Sequence, residues 1–124
     1  MITRLALVSV IDDDESIRES LPDLLSELGF VVRAFASAEE FLASDVIEGT
    51  DCLLLDIAMP GMTGPELQHE LTRCGRAIPI VFITADHDPA VRPRVMAHGA
   101  VECLFKPFSE AALSNALALA LRRM

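Results

Sequence analysis

Leu53-Leu54-Leu55-Asp56, with Cys52 in front of it, decides the fold. A strand with one wet face alternates apolar and polar residues. A run that is apolar at every position is buried on both faces and belongs at the centre of a parallel sheet. The same pattern recurs on either side of this run. Val10-Ile11-Asp12-Asp13-Asp14 precedes it, and Val81-Phe82-Ile83-Thr84-Ala85 and Leu104-Phe105-Lys106-Pro107 follow it. Each is an apolar run closed by a polar residue or by a Lys-Pro pair.

The segments between these runs carry helical spacing. Leu5 to Ile11 reads as the first strand, and Ile17, Leu21, Leu24, Leu25 and Leu28 then recur as one helical face, closed by Gly29. Val31 to Phe35 is a second strand, and Ser37 with Glu40 fits a capping box ahead of Phe41 and Leu42. Cys52 to Asp56 is the third strand. Met59-Pro60-Gly61-Met62-Thr63-Gly64 is a loop, and a helix from Pro65 to Arg73 points Leu67 and Leu71 inward. Ile80 to Thr84 is the fourth strand. Asp88-Pro89 reads as the start of the next helix, Val101 to Phe105 as the fifth strand, and Ser109 as the cap of the last helix. In that helix Leu113, Leu117, Ala120 and Leu121 share a side. Five alternations predict one doubly wound α/β domain over residues 1–124, with right-handed crossovers. Pro22 and Pro93 both fall inside predicted helices, where each should kink the helix or shift its start.

An open parallel sheet binds ligands beyond the carboxyl ends of its strands. The pattern therefore aims Asp12, Asp13, Asp56, Thr84 and Lys106 at one crevice. Three carboxylates, a hydroxyl and an ammonium suit a divalent cation together with a phosphoryl group. Singly, each has a plainer explanation: Asp12 and Asp13 as helix caps, Lys106 as a solvated lysine, Thr84 as a strand-end residue. Asp14 and Glu15 fit the capping role. The plain account fails because it puts all five at one sheet edge by chance.

Composition narrows the classes further. At 52% hydrophobic residues and a mean hydropathy of +0.40 the chain is not a disordered one. No apolar run reaches membrane-spanning length, and Met1-Ile2-Thr3-Arg4 shows no signal-peptide cleavage pattern, so cytoplasmic residence is expected. The net charge of −9 opposes direct nucleic-acid binding. Cys52, Cys74 and Cys103 lack metal-ligand spacing, and Cys52 and Cys103 read as small buried apolar residues. His69, His87 and His98 read as solvated or helix-terminal, with His98 beside Gly99 suited to a helix C-terminus.

Taken in order, the acidic cluster after strand one, Asp56 with Met59-Pro60-Gly61-Met62-Thr63-Gly64, Thr84-Ala85, and Lys106-Pro107-Phe108 resemble the receiver domain of two-component response regulators. Phe35-Ala36-Ser37-Ala38-Glu39-Glu40-Phe41-Leu42 is most similar to the nitrogen-fixation-regulator (FixJ-like) type. The resemblance implies a flavodoxin-like five-stranded sheet in the order 2-1-3-4-5 with five helices. It implies that Asp56 accepts a phosphoryl group from a sensor histidine kinase, with Mg²⁺ held by Asp13, Asp56 and the Ala58 carbonyl, and by Asp12 mainly through water. Lys106 and Thr84 would hold the product, and Thr84 would report it. The Lys106-Pro107 bond is cis in relatives. The implied output is a changed face of helix four, strand five and helix five, meeting a partner protein or a second copy. Such a domain catalyses its own phosphorylation and dephosphorylation and is otherwise no enzyme.

The chain departs from that pattern at Cys103. Many receivers have an aromatic switch residue there, three positions before the lysine, and a thiol cannot sweep out a ring's volume. Phe105 shares the face of Cys103 by strand alternation and is a candidate substitute. Ala58 and Asp86 stand where relatives tune acyl-phosphate lifetime. Relatives of this type often continue into a helix-turn-helix domain; a single-domain regulator and an excised receiver both remain open. The competing readings are an aspartate-nucleophile phosphatase, opposed by Ala58, a flavodoxin-like cofactor binder, opposed by the acidic Asp12-Asp13-Asp14-Glu15 loop, and a degenerate receiver that binds a protein partner without phosphorylation.

Overall fold

The computed structural model describes residues 5–122, and the expectations for Met1-Ile2-Thr3-Arg4 and for the final Arg123-Met124 lie outside them. Five strands, β1 (Leu7–Ile11), β2 (Val31–Phe35), β3 (Cys52–Asp56), β4 (Ile80–Thr84) and β5 (Glu102–Phe105), alternate with five helices. The helices are α1 (Glu15–Glu27), α2 (Ala38–Leu42), α3 (Gly64–Arg73), α4 (Val91–Ala97) and α5 (Glu110–Leu121). All neighbouring strands are parallel, in the order β2-β1-β3-β4-β5.

Strand alternation divides the core into two layers. Val8, Val10, Cys52, Leu54, Val81, Ile83 and Leu104 pack with Leu21 and Leu25 of α1 and with Leu113 and Leu117 of α5. Ile11, Leu53, Leu55, Phe82 and Cys103 turn the other way, onto Phe41, Leu67, Leu71, Val91 and Val95 of α2, α3 and α4. Every residue of β3 and β4 is buried, as expected of central strands in a sheet covered on both sides. Cys52 and Cys103 are buried and Cys74 is exposed; all three thiols are free. Burial first, and the neighbouring Asp51 charge second, push the Cys52 thiol up to about 12, which leaves it inert.

Most predicted boundaries stand within two residues. The first strand begins at Leu7, and Leu5 is exposed. Gly29 closes α1 at a φ of +99°, in the left-handed region that L side chains avoid. The Ser37 hydroxyl caps α2 through Glu40 N, and Ser109 caps α5 through Ala112 N. Thr63 opens α3 in a complete capping box with Glu66.

The start of α4 needs correction. Asp88 is not its cap and Pro89 is not in its first turn, because the helix begins at Val91 behind Ala90. Asp88 instead folds a turn, its carboxylate accepting from Ala90 N at 2.9 Å. The late start places Pro93 in the first turn, where a missing N–H costs nothing. Pro22 has no such relief and sits inside α1.

Candidate functional site

The carboxyl ends of β1, β3, β4 and β5 meet at one edge and carry the predicted residues there. Asp12 follows β1 directly, its N–H donating to Phe35 O at 3.1 Å. It is fully buried, and each of its acceptors has a partner. Oδ1 accepts from Asp14 N at 2.9 Å, Oδ2 from Lys106 Nζ at 2.7 Å, and the carbonyl from an Arg18 guanidinium N–H at 2.9 Å. Asp13, one residue on, faces solvent.

Asp56 closes β3. Its register partner is Ile83, and Ile57 N donates to Ile83 O at 3.2 Å, so the chain leaves the sheet immediately after the carboxylate. Gly64 lies against this exit: a Cβ there would overlap the Asp56 carbonyl oxygen, so only glycine fits. One carboxylate oxygen each from Asp12, Asp13 and Asp56 fall within 4.8 Å of one another. Burial first, and then the Asp12 charge, push the Asp56 carboxyl up to about 7, with Lys106 opposing the shift. Lys106 Nζ stands 3.9 Å from Asp56 Oδ1 but makes its short bond to Asp12. A crowded carboxylate cluster with one ammonium is short of positive charge. That is the donor chemistry a hard divalent cation satisfies.

Thr84 ends β4, buried, one residue beyond Ile83. Its hydroxyl accepts from Asp86 N at 3.0 Å and its carbonyl from Lys106 N at 2.7 Å. The Lys106–Pro107 peptide is cis. Ala58 lies exposed on the loop after β3. Cys103 is apart from this group, buried in the α3–α4 side of the core.

Three contributors escaped the sequence reading. Arg18 holds the Asp12 carbonyl from the first turn of α1. A cation in a first turn opposes the helix dipole, and that anomaly was the available signal. Glu39 of α2 accepts from Met62 N at 3.0 Å and so braces the loop after Asp56. Nothing local marks a contact spanning that much sequence. His87 is exposed, as expected, but also makes two contacts: its Nε2 lies 3.0 Å from Lys106 O and its ring 5.6 Å from that of Phe105. His98 caps α4 as expected, with Nδ1 3.0 Å from Arg94 O.

Residues 8–118 match the family described as the response regulator receiver domain. The chain belongs to that family. Nodulation protein W of Bradyrhizobium diazoefficiens is 43% identical to this receiver over 118 residues, covering 95% of this chain and 52% of that protein. The transcriptional regulatory protein FixJ of Azorhizobium caulinodans is 38% identical over 116 residues, covering 94% and 55%. The crystal structure of FixJ-N superposes with a TM-score of 0.87 at 32% identity, covering 98% of each chain. The chain spans about half the length of the curated relatives it matches. Its receiver fold, strand order and place in two-component signalling are those expected from the sequence. Among the described residues no helix is long and apolar enough to cross a membrane.

Proposed function

We propose that Asp56 takes a phosphoryl group from the phosphohistidine of a sensor histidine kinase in the cytoplasm, and that the receiver itself catalyses this transfer and the later hydrolysis. The observation that carries this is the convergence of Asp12, Asp13 and Asp56 oxygens within 4.8 Å beside the Lys106 ammonium. An Asp56 oxygen attacks phosphorus, the P–N bond breaks, and the imidazole leaves with the bonding electrons. Charge repulsion between nucleophile and donor is the main obstacle. Asp13, Asp56 and the Ala58 carbonyl would hold Mg²⁺, with Asp12 acting mainly through water. When bound, the ion offsets the negative charge of the carboxylates and the incoming phosphoryl group. Lys106 would exchange its bond to Asp12 for one to a phosphoryl oxygen, as a compact point charge. The Thr84 hydroxyl would donate to another.

The product would bias the face of α4, β5 and α5 toward a partner protein or a second copy. On α5, Leu113, Ala116, Leu117 and Ala120 are buried, and Leu119 is the large side chain left exposed. The carboxylate cluster beside the Lys106 ammonium supports this reading over a phosphorylation-independent module.

Intact-mass measurement after incubation with acetyl phosphate or phosphoramidate tests the reading. The expected result is one added phosphoryl group, dependent on Mg²⁺ and absent in Asp56→Asn. No addition, together with no detectable Mg²⁺ binding, would reverse it.

A further inference from the structure

We propose that His87 is a latch that ties the β4–α4 loop to the backbone of the phosphate-holding lysine, doing in this chain the positioning work that Cys103 is too small to do. The proposal rests on the phosphoacceptor reading above.

Cys103 is 3% exposed and locked in the core between β5 and the helices that cover it. A small buried thiol with a single rotor cannot signal by swinging a ring's volume between buried and exposed positions. The structure shows a different connection from the pocket to the surface. Lys106 is gripped on both sides of its backbone: its N–H donates to Thr84 O at 2.7 Å, and its carbonyl accepts from His87 Nε2 at 3.0 Å. The His87 ring lies over Phe105, centroids 5.6 Å apart at 34°. Phe105 is the register partner of Thr84. The Thr84 hydroxyl in turn accepts from Asp86 N at 3.0 Å, so the sensing hydroxyl is bonded to the residue next to the latch.

These links make the loop a two-position element. The Thr84 oxygen accepts from Asp86 N while its O–H stays free to donate, so turning the side chain toward a phosphoryl oxygen carries Asp86 N with it, and His87 must follow its neighbour. It cannot follow while Nε2 stays on Lys106 O and the ring stays on Phe105. The same event draws Lys106 Nζ away from Asp12. Phosphorylation and the latch therefore compete for the position of residues 84–87, and each weakens the other by the same factor.

The test uses His87→Ala and His87→Gln, both feasible because His87 is exposed. Amide NMR spectra and the affinity for beryllofluoride with Mg²⁺, a phosphoryl mimic, are compared with wild type. In unmodified His87→Ala, the amides of residues 85–88, 90–92 and 105 should shift toward the positions that wild type takes with beryllofluoride. Its affinity for the mimic should rise by about twofold to tenfold, the range a single hydrogen bond supports. Glutamine, which restores a donor, should return both readouts toward wild type. Unchanged loop shifts, unchanged or weaker affinity, or a glutamine variant identical to alanine would each overturn the latch. Failure of wild type to bind the mimic would overturn the phosphoacceptor reading itself, and the latch with it.

Discussion

Asp56 is held in an arrangement that favours reactivity over stability. A carboxyl whose folded pKa is about 7, against an ordinary 3.8, binds its proton more tightly in the native state than in the unfolded chain. Its stabilising contribution is complete below about pH 4 and is lost as pH rises through about 7. Asp56→Asn is therefore expected to stabilise the metal-free protein at pH 8 by on the order of 2 kcal/mol, with the gain vanishing near pH 4. Urea unfolding at both pH values checks this. Lys106 has the opposite character. Lys106→Ala leaves a fully buried Asp12 without its counter-charge, next to two other carboxylates. A loss of about 1.5–3 kcal/mol is expected for a hydrogen bond to a charged group, read from the same denaturation curves.

At the scale of elements, the helices differ in how well they are begun and sustained. Helix α3 starts with a reciprocal capping box, Pro65 in its first turn, and Gly64 pressed against the Asp56 carbonyl. It is anchored against the loop that follows Asp56. Helix α1 instead carries Pro22 in its interior, so the Arg18 carbonyl loses its helical donor. Pro22→Ala should raise stability by about 1–3 kcal/mol, seen as a higher Tm. Helix α4 is seven residues long, lacks a side-chain cap, and follows the loop that His87 tethers. A short, uncapped helix beside the pocket is easily shifted, which suits the reporting role proposed for it above.

At the scale of the molecule, two apolar layers enclose a five-stranded sheet and leave one edge for charge. The sheet is stiff because β3 and β4 are buried throughout, so Asp12 and Asp56, at the ends of neighbouring strands, cannot spread apart to relieve their repulsion. A cation is the remaining relief, and it competes with the proton on Asp56. Addition of Mg²⁺ should therefore raise the Tm more at pH 8 than at pH 6, and Asp13→Ala should reduce both increments. Thermal melts across a Mg²⁺ series measure this. Equal increments at the two pH values would show that the ion binds away from Asp56.

The fold was legible because its signals are local. The all-apolar run Cys52 to Asp56 must be a central strand wherever it occurs, and helical spacing between such runs leaves a doubly wound sheet. The convergence of Asp12, Asp13, Asp56, Thr84 and Lys106 was legible for the same reason, since a strand end places its next side chain at the edge whatever the rest of the chain does. The start of α4 was not, because Asp88-Pro89 is a good opening by itself, and the penalty of Pro93 farther in moved the helix to Val91. Nor were Glu39 on Met62 N, Arg18 on the Asp12 carbonyl, or His87 on Lys106 O. Those bonds join segments whose approach depends on how the layers pack. Local spacing determined which residues reach the crevice; tertiary packing decided which groups brace them and which charges they must share, because hydrogen bonds and carboxylate repulsion act through space rather than along the chain.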